Sequence, residues 1–597
     1  MEEKKVYRTH YCGDLASKNI DEEVILSGWV NSIRDFGNIK FIHLRDVTGL
    51  VQVLINNESV SKEVLSISKE IKYEYLVLVK GIVSKRSEET VNNKLKTGEL
   101  EVVVTDIEII NKSKELPFMI DRLNVANENI RLEHRYLDIR RESIKNALLL
   151  RSKSNKIIRD FMHNNGFNEV ETPILCKSTP EGARDYLVPS RIHKGEFYAL
   201  PQSPQLYKQM LMIGGMDRYY QIAKCFRDED LRSDRQPEFT QLDIEMSFVD
   251  ENDVMTISEN LISDLFEKTI GIVPDKPFKR ISYSDAINLY GADKPDLRFD
   301  MKIIDFTNIC KNSGFELFDK FTESGGVVKG IVGKNLSAAV SRKKLDKIVE
   351  FGRDNGLGNL IAIRKEKDEI ITQIKDKLDA KSLNDIIVNA SMEDNDILFI
   401  STGKDNYGVS TGLGDVRLYI ANEYSLIDKE QYNFSWVVDF PMFEYCEDTN
   451  RYVAMHHPFT EPKEDDLELV DKSNITSIKA KAYDMVINGQ EVGGGSIRIS
   501  NNEMQKKVFD IIGLSEEEIK EKFGFFVEAL EYGTPPHGGI AFGYDRLMMI
   551  LSKTKNIKDV IAFPKIQNAS CLLTKAPDFV DEKQLKELGI KIVEGKK

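Results

Sequence analysis

Residues 24–55 (VILSGWVNSIRDFGNIKFIHLRDVTGLVQVLI) constrain the fold of this chain more than any other stretch. Short apolar and alternating runs are broken at Asp35-Phe36-Gly37-Asn38 and at Thr48-Gly49, residues that favour tight turns. Alternation with a period of two puts successive side chains on opposite faces, which suits paired strands and not a helix. Further strand-like runs follow at 75–83 and 100–110, with a helical stretch at 59–72 between them. About five strands and one helix in so short a span suggest a small closed barrel. An OB-fold is the commonest such object, and an SH3-like or other small β domain fits the same pattern.

The rest of the chain must build cores of its own. A chain of 597 residues is too long for one hydrophobic core, so roughly two to four domains are expected. Residues 111–137 read as a polar, irregular hinge. The segment 142–165 has apolar residues at helical spacing, ended by Gly166, and a short strand follows, stopped by Pro173. An α/β texture continues to about 290, yields to a Lys-, Asp- and Gly-rich α+β stretch over 295–425, and returns at 434–444.

Composition narrows the class only partly. The chain is 41% hydrophobic and 30% charged, as soluble globular proteins are. No apolar run approaches the roughly 18 residues of a membrane span, so no membrane partner is expected. A net charge of −14 argues against a nucleic-acid partner in bulk but leaves room for a local basic face. The N-terminus MEEKKVYRTH has no apolar core, and Cys12, Cys176, Cys225, Cys310, Cys446 and Cys571 form no CxxC pair. Together these predict a cytoplasmic protein without disulfides or zinc.

Three polar constellations stand out. In 225–246 (CFRDEDLRSDRQPEFTQLDIEM) a strand, a charged loop and a second strand form a long hairpin. Such loops are more often merely solvated, so the hairpin needs company before it means chemistry. In 538–546 (GGIAFGYDR) glycines permit close backbone approach, and Arg546 near the start of a helix suits a phosphate or an adenine face. In 484–498, Asp484 and Glu491 flank a turn and could share Mg²⁺ with phosphates, with a metal-free ion-pair reading as the alternative. There is no GxxxxGK[ST] phosphate loop. The run Gly412-Leu413-Gly414-Asp415-Val416-Arg417 lacks the third glycine of a dinucleotide fingerprint and reads as a loop.

Taken in order, these elements resemble the three motifs of class II aminoacyl-tRNA synthetases: the helix and strand ending at Pro173, the core Phe226-Arg227-Asp228-Glu229, and the glycine-rich run ending at Arg546. Within that class, STPEGARDYLVPSR (178–191), PQSPQLYKQ (201–209), MHHPFT (455–460) and TPPHGGIAFGYDR (534–546) are similar to the bacterial aspartyl-tRNA synthetases, over nearly the whole chain. The resemblance replaces the α/β texture with a multidomain α+β fold: an N-terminal OB-fold β-barrel that binds the anticodon, an antiparallel-sheet catalytic domain and an inserted α+β domain. The implied boundaries are 1–111 for the barrel, 112–140 for a hinge, and 141–294 with 426–573 for the catalytic domain. The insertion would occupy 295–425 and a C-terminal extension 574–597.

The resemblance also implies roles. Arg227 and Arg546 would be catalytic. Arg227, Asp228, Glu229, Gln236, Phe239, Glu491, Gly543, Tyr544, Asp545 and Arg546 would bind ATP, with Phe239 and Arg546 on the two faces of adenine. Asp484 and Glu491 would hold Mg²⁺. Glu181, Ser203, Gln205, Arg227 and Asp243 would contact the amino acid's ammonium and α-carboxylate end. Lys208 and Arg498 would grip its side-chain carboxylate, with His456 or His457 close by. Phe41 and Gln52 would meet the anticodon, supported by Arg34 and Arg45. The implied partners are L-aspartate, tRNA-Asp, with tRNA-Asn left open, and a second copy of the chain.

Overall fold

A computed structural model describes residues 5–120, 126–179, 183–367, 369–447, 449–463 and 475–593. The chain divides into two compact units, one of residues 1–148 with 562–566 and 570–577, the other holding the remainder.

In the first unit five strands, β1 (Glu23–Asp35), β2 (Ile39–Arg45), β3 (Leu50–Asn56), β4 (Leu76–Lys85) and β5 (Leu100–Asn111), close a barrel in the order β1-β2-β3-β5-β4. β3 and β5 run parallel; the other pairs are antiparallel, and β4 closes onto β1. The closure leaves no sheet edge, and alternate residues such as Val24, Leu26, Leu44, Val51, Val53, Val77 and Val102 fill the interior. The helix Lys62–Glu70 between β3 and β4 is capped by Ser61, whose hydroxyl accepts from Val64 N. This is an OB-fold, and the alternative small β domains fall away.

The expected irregular hinge contains two short helices, Glu128–Glu133 and Arg135–Asp138. Arg135, buried, donates to the Asp138 carboxylate at 2.5 Å and to Ala562 O at 3.0 Å, which orders a segment that its polar composition alone does not.

The second unit is built on an eight-stranded sheet. Its order is Lys279–Ser282, Phe434–Val438, Ala482–Ile487, Gln490–Ile497, His537–Gly543, Glu238–Ser247, Arg218–Phe226 and Asn168–Glu169. The two outermost pairs are parallel and all inner pairs antiparallel. This is the α+β core that the resemblance implied, not an α/β one. A separate antiparallel sheet of five strands lies between Ile303 and Gly403. It has a hydrophobic core on each face, one built with the helices Arg342–Asp354 and Asn406–Glu423, the other with Glu316–Glu323 and Ala380–Asn389.

One local expectation fails. Gly412 to Arg417 lies inside the helix Asn406–Glu423 and is not a loop. A Cβ on Gly412 would sit 2.6 Å from Leu357 Cδ2, and one on Gly414 2.6 Å from Gly291 O, so these glycines serve close packing.

Candidate active site

The strand Glu238–Ser247 carries the site because its residues alternate. Leu242, Ile244 and Met246 share one face, which leaves Gln241, Asp243 and Glu245 together on the other. Its neighbours are Arg218–Phe226 on one side and His537–Gly543 on the other, with Glu245 opposite Gly539. A Cβ at Gly539 would fall 2.1 Å from Glu245 Oε2, so only glycine lets that carboxylate lie flat across the strand.

Four buried charges meet there. Lys208, 1% exposed on the helix Gln205–Ile213, donates to Asp243 Oδ1 and lies 3.1 Å from Glu245 Oε2. Arg498, 2% exposed, donates from Nε to Glu245 Oε1 at 2.9 Å and from Nη2 to Oε2 at 3.2 Å. Its Nη1 donates to Ser496 Oγ at 2.6 Å and faces His457 Nε2 at 2.5 Å. Burial alone would drive the Glu245 carboxyl up, but the Arg498 and Lys208 charges win and hold it near 2. At Asp243 the balance reverses: burial outweighs Lys208 and raises the carboxyl, and Oδ2 has no hydrogen-bond partner among the described residues. Burial and the Arg498 charge push the His457 imidazole well below its usual range, and its Nδ1 accepts from Phe459 N at 3.2 Å. His456 is distinct: its Nε2 stands 3.9 Å from Asp484 Oδ1, on the carboxylate pair and not on Arg498.

Beside this cluster a cleft of about 230 Å³ is lined by Arg227, Glu229, Gln236, Phe239, Glu491, Gly543, Asp545 and Arg546 among others. The Arg227 guanidinium lies 5.1 Å from the centroid of the Phe239 ring. Arg546 is held by Glu491 O and by Asp234 Oδ2 at 3.2 Å, and Glu229 pairs with Arg235 at 3.2 Å. Asp545 lines the wall, yet its carboxylate is engaged by Arg151 and by Thr240 N at 2.7 Å. It therefore locks the helix Tyr544–Leu551 to the strand that carries Asp243.

Two expected nucleotide contacts are not in this cleft. Tyr544 is fully buried beneath Arg151, and its hydroxyl donates to Arg151 O at 3.0 Å, so its ring packs the helix. Asp228 does not line the cleft; its backbone N–H donates to Arg184 O at 3.0 Å and its carboxylate is half-exposed. Ser203 lines a smaller neighbouring recess with Thr179, Gln202 and Tyr207. Gln205 is buried beside Lys208, its Nε2 without a partner among the described residues. Glu181 lies outside the described residues.

Asp484 and Glu491 stand on antiparallel neighbours joined by a turn, and both converge over Gly494. A Cβ there would be 2.8 Å from Asp484 Oδ1 and 3.7 Å from Glu491 Oε1. Asp484 Oδ1 has no hydrogen-bond partner among the described residues, and burial followed by the nearby Asp484 charge raises the Glu491 carboxyl. A converging carboxylate pair of this kind fits a divalent cation that also takes oxygens from phosphates.

In the barrel, Phe41 is half-buried, edge-on to the exposed Phe36 at 6.0 Å. Gln52 is 8% exposed and donates to Glu101 Oε2 at 2.7 Å. Arg45 is not the surface cation expected: it is buried against Glu74 at 2.7 Å, where Arg140 also binds at 2.7 Å. Arg34 is exposed.

Sequence reading missed Glu245 and Arg151. The alternation that singled out Asp243 also placed Glu245 on the same face, so that signal was present. Arg151, on the helix Glu142–Asn164, had none, because its partners Thr240 and Asp545 are distant in the chain.

Residues 127–567 match the family described as tRNA synthetases class II (D, K and N), and residues 24–110 match the OB-fold nucleic acid binding domain. The chain is 50% identical over 585 residues to the Aspartate--tRNA(Asp/Asn) ligase of Caldanaerobacter subterraneus subsp. tengcongensis, covering 98% of each. It is 47% identical over 586 residues to the Aspartate--tRNA ligase of Halalkalibacterium halodurans, again covering 98% of each. Its fold is similar to that of asparaginyl-tRNA synthetase from Pyrococcus horikoshii complexed with asparaginyl-adenylate. That structure aligns with a TM-score of 0.59 at 20% identity, over 93% of this chain and 97% of that one. The chain belongs to the class II tRNA synthetases of the D, K and N group.

Proposed function

We propose that this chain is an aspartate–tRNA ligase, which activates L-aspartate with ATP and transfers the aspartyl group to the 3′ end of tRNA-Asp. The observation that carries the reading is the donor count at the buried cluster. Lys208 has three N–H donors and Arg498 five. Their contacts to Asp243, Glu245 and Ser496 use two and three, which leaves at least one donor on each cation for a single carboxylate. A buried carboxylate needs such opposite charge, whereas the neutral amide of asparagine compensates neither cation and lysine would add a third. Sites of this kind can discriminate by about 10⁴–10⁵.

The other roles follow from position. Asp243 Oδ2 and Gln205 face the ammonium end, with Ser203 and Glu181 completing that side. In the first step an α-carboxylate oxygen of aspartate bonds to the α-phosphorus of ATP as the bond to pyrophosphate breaks, giving aspartyl-adenylate. Arg227 countercharges the reacting phosphate and Arg546 the outer phosphates, while Phe239 stacks on adenine and Glu229 and Gln236 orient it. In the second step the terminal ribose hydroxyl of tRNA attacks the adenylate carbonyl, and AMP leaves. Asp484 and Glu491 would hold Mg²⁺, which supplies charge compensation to the phosphates.

The barrel, over 1–111, binds the anticodon through Phe41 and Gln52, with Arg34 beside them. The segment 112–140 links it to a catalytic domain of 141–294 and 426–573. The five-stranded sheet belongs to an insertion over 295–425, and 574–597 forms an extension. Among the described residues no helix is long and apolar enough to cross a membrane, and we assign the protein to the cytoplasm as a homodimer. Exposed Phe248, Ile174 and Leu175 support a covered face. Relatives whose names carry both tRNA-Asp and tRNA-Asn favour tRNA-Asn as a second substrate, which charging of purified tRNA-Asn tests.

Amino-acid-dependent ATP–pyrophosphate exchange tests the central reading. Exchange with aspartate is expected; no exchange with it, or equal exchange with lysine or asparagine, overturns it.

A further inference from the structure

The barrel carries a polar row of which the proposed function uses one member. Ser32 stands opposite His43, His43 opposite Gln52 and Gln52 opposite Glu101, so four neighbouring strands each contribute one side chain at the same level. Residues paired in register share a face. Ile42, Leu44, Val51, Val53 and Val102, which alternate with them, fill the interior, so the row lies on the outer face. Phe41 is on that face too, two positions before His43 on the same strand, with Arg34 opposite it.

The members of the row are tied to one another, and the ties decide which atoms are left over. A carboxylate only accepts, so Gln52 turns its Nε2 to Glu101, donating to Oε2 at 2.7 Å, and keeps Oε1 as an acceptor. His43 Nδ1 is 3.1 Å from Ser32 Oγ, which orients the ring, while Nε2 has no hydrogen-bond partner among the described residues. Burial, followed by the charges of Arg34 and Arg86, lowers the affinity of the imidazole for a second proton. A hydroxyl both donates and accepts, so Ser32 serves either tautomer of the neutral ring, which keeps one hydrogen-bonding position to offer outward. A histidine on the outside of a barrel is usually only solvated. This one is oriented by a neighbouring strand, beside a glutamine with an acceptor to spare and on the same face as an aromatic ring. That combination suits an unpaired base, which stacks on the aromatic ring and presents its edge to polar groups next to it.

We propose that His43 is a base-reading residue of the barrel, its Nε2 meeting the edge of one anticodon base beside Gln52. The inference rests on the reading of the barrel as the anticodon-binding domain and deepens it with a determinant of tRNA choice that no sequence motif marks.

Aminoacylation by the full-length enzyme tests this with a tRNA-Asp transcript and three further transcripts, each changed at one anticodon base. Pyrophosphate exchange without tRNA reports whether each variant is folded. His43→Ala is expected to raise the KM for the unchanged transcript about fivefold, the loss of one hydrogen bond. The same substitution should cost nothing further on the transcript changed at the base that His43 reads, and should cost the full amount on the other two. An unchanged KM, or an equal rise with all four transcripts, overturns the proposal. If His43→Ala does not fold, His43→Asn decides by the same pattern, since it keeps a polar group near Nδ1 for Ser32 and lacks one at Nε2. Should Phe41→Ala also leave the KM for tRNA unchanged, the reading of the barrel falls; an effect of Phe41→Ala with none of His43→Ala removes only this inference.

Discussion

Arg498 and Glu245 form a two-pronged buried ion pair, Nε to Oε1 at 2.9 Å and Nη2 to Oε2 at 3.2 Å, with both side chains almost wholly out of water. Two parallel bonds fix the plane of the guanidinium as well as its place. The pair, not Arg498 alone, is what the strand register builds.

That pair makes stability depend on acid. Glu245 is held near 2 in the fold against an ordinary 4.5. Its contribution is therefore fully present above pH 4.5 and is lost as pH falls toward 2, an effect of about 3 kcal/mol. Urea unfolding followed from pH 6 to pH 3 should show about 2 kcal/mol of this loss, and Glu245→Gln should be less stable at neutral pH with a flatter acid limb. Equal slopes for the two proteins would count against the pairing.

Lys208→Met should preserve volume and remove one cation from the aspartate cluster. Asp243 then loses its Lys208 contact and Glu245 keeps Arg498, so the site presents one cation fewer to a third carboxylate. A loss of about 10²–10³ in kcat/KM for aspartate is expected, with the KM for ATP little changed. Steady-state exchange at varied aspartate and varied ATP separates the two constants.

The converging carboxylates over Gly494 predict a metal phenotype. Asp484→Asn and Glu491→Gln should each raise the half-saturating Mg²⁺ concentration about tenfold, since charge count sets affinity at oxygen sites. Binding of Mn²⁺ to the ATP-loaded protein, read by its paramagnetic signal, should weaken in parallel without reference to turnover. Wild-type binding in both variants contradicts the assignment.

Phe41→Ala isolates the barrel. A ring stacked on an unpaired base contributes about 1–3 kcal/mol, so the KM for tRNA should rise roughly 10- to 100-fold. Amino-acid activation without tRNA should be unaffected. Aminoacylation and exchange run side by side distinguish this from general damage, which would lower both.

The amino-acid sequence by itself determined the local chemistry of this protein. Period-two alternation drew the barrel strands and put Asp243 on a polar face, because side-chain direction in a strand depends only on position along it. Turn residues placed the hairpin of 225–246, and the phrases around Arg227, Lys208 and Arg546 carried the family. What only tertiary structure decided is who pairs with whom. Glu245 beneath Arg498, Arg151 on Asp545, Arg45 turned inward to Glu74, Tyr544 withdrawn under Arg151, and the Gly412 run taken into a helix all depend on partners far away in the chain. Burial and Coulomb interaction act through space, so a charge that looks available in the sequence is spent or free only once the sheet has set its neighbours.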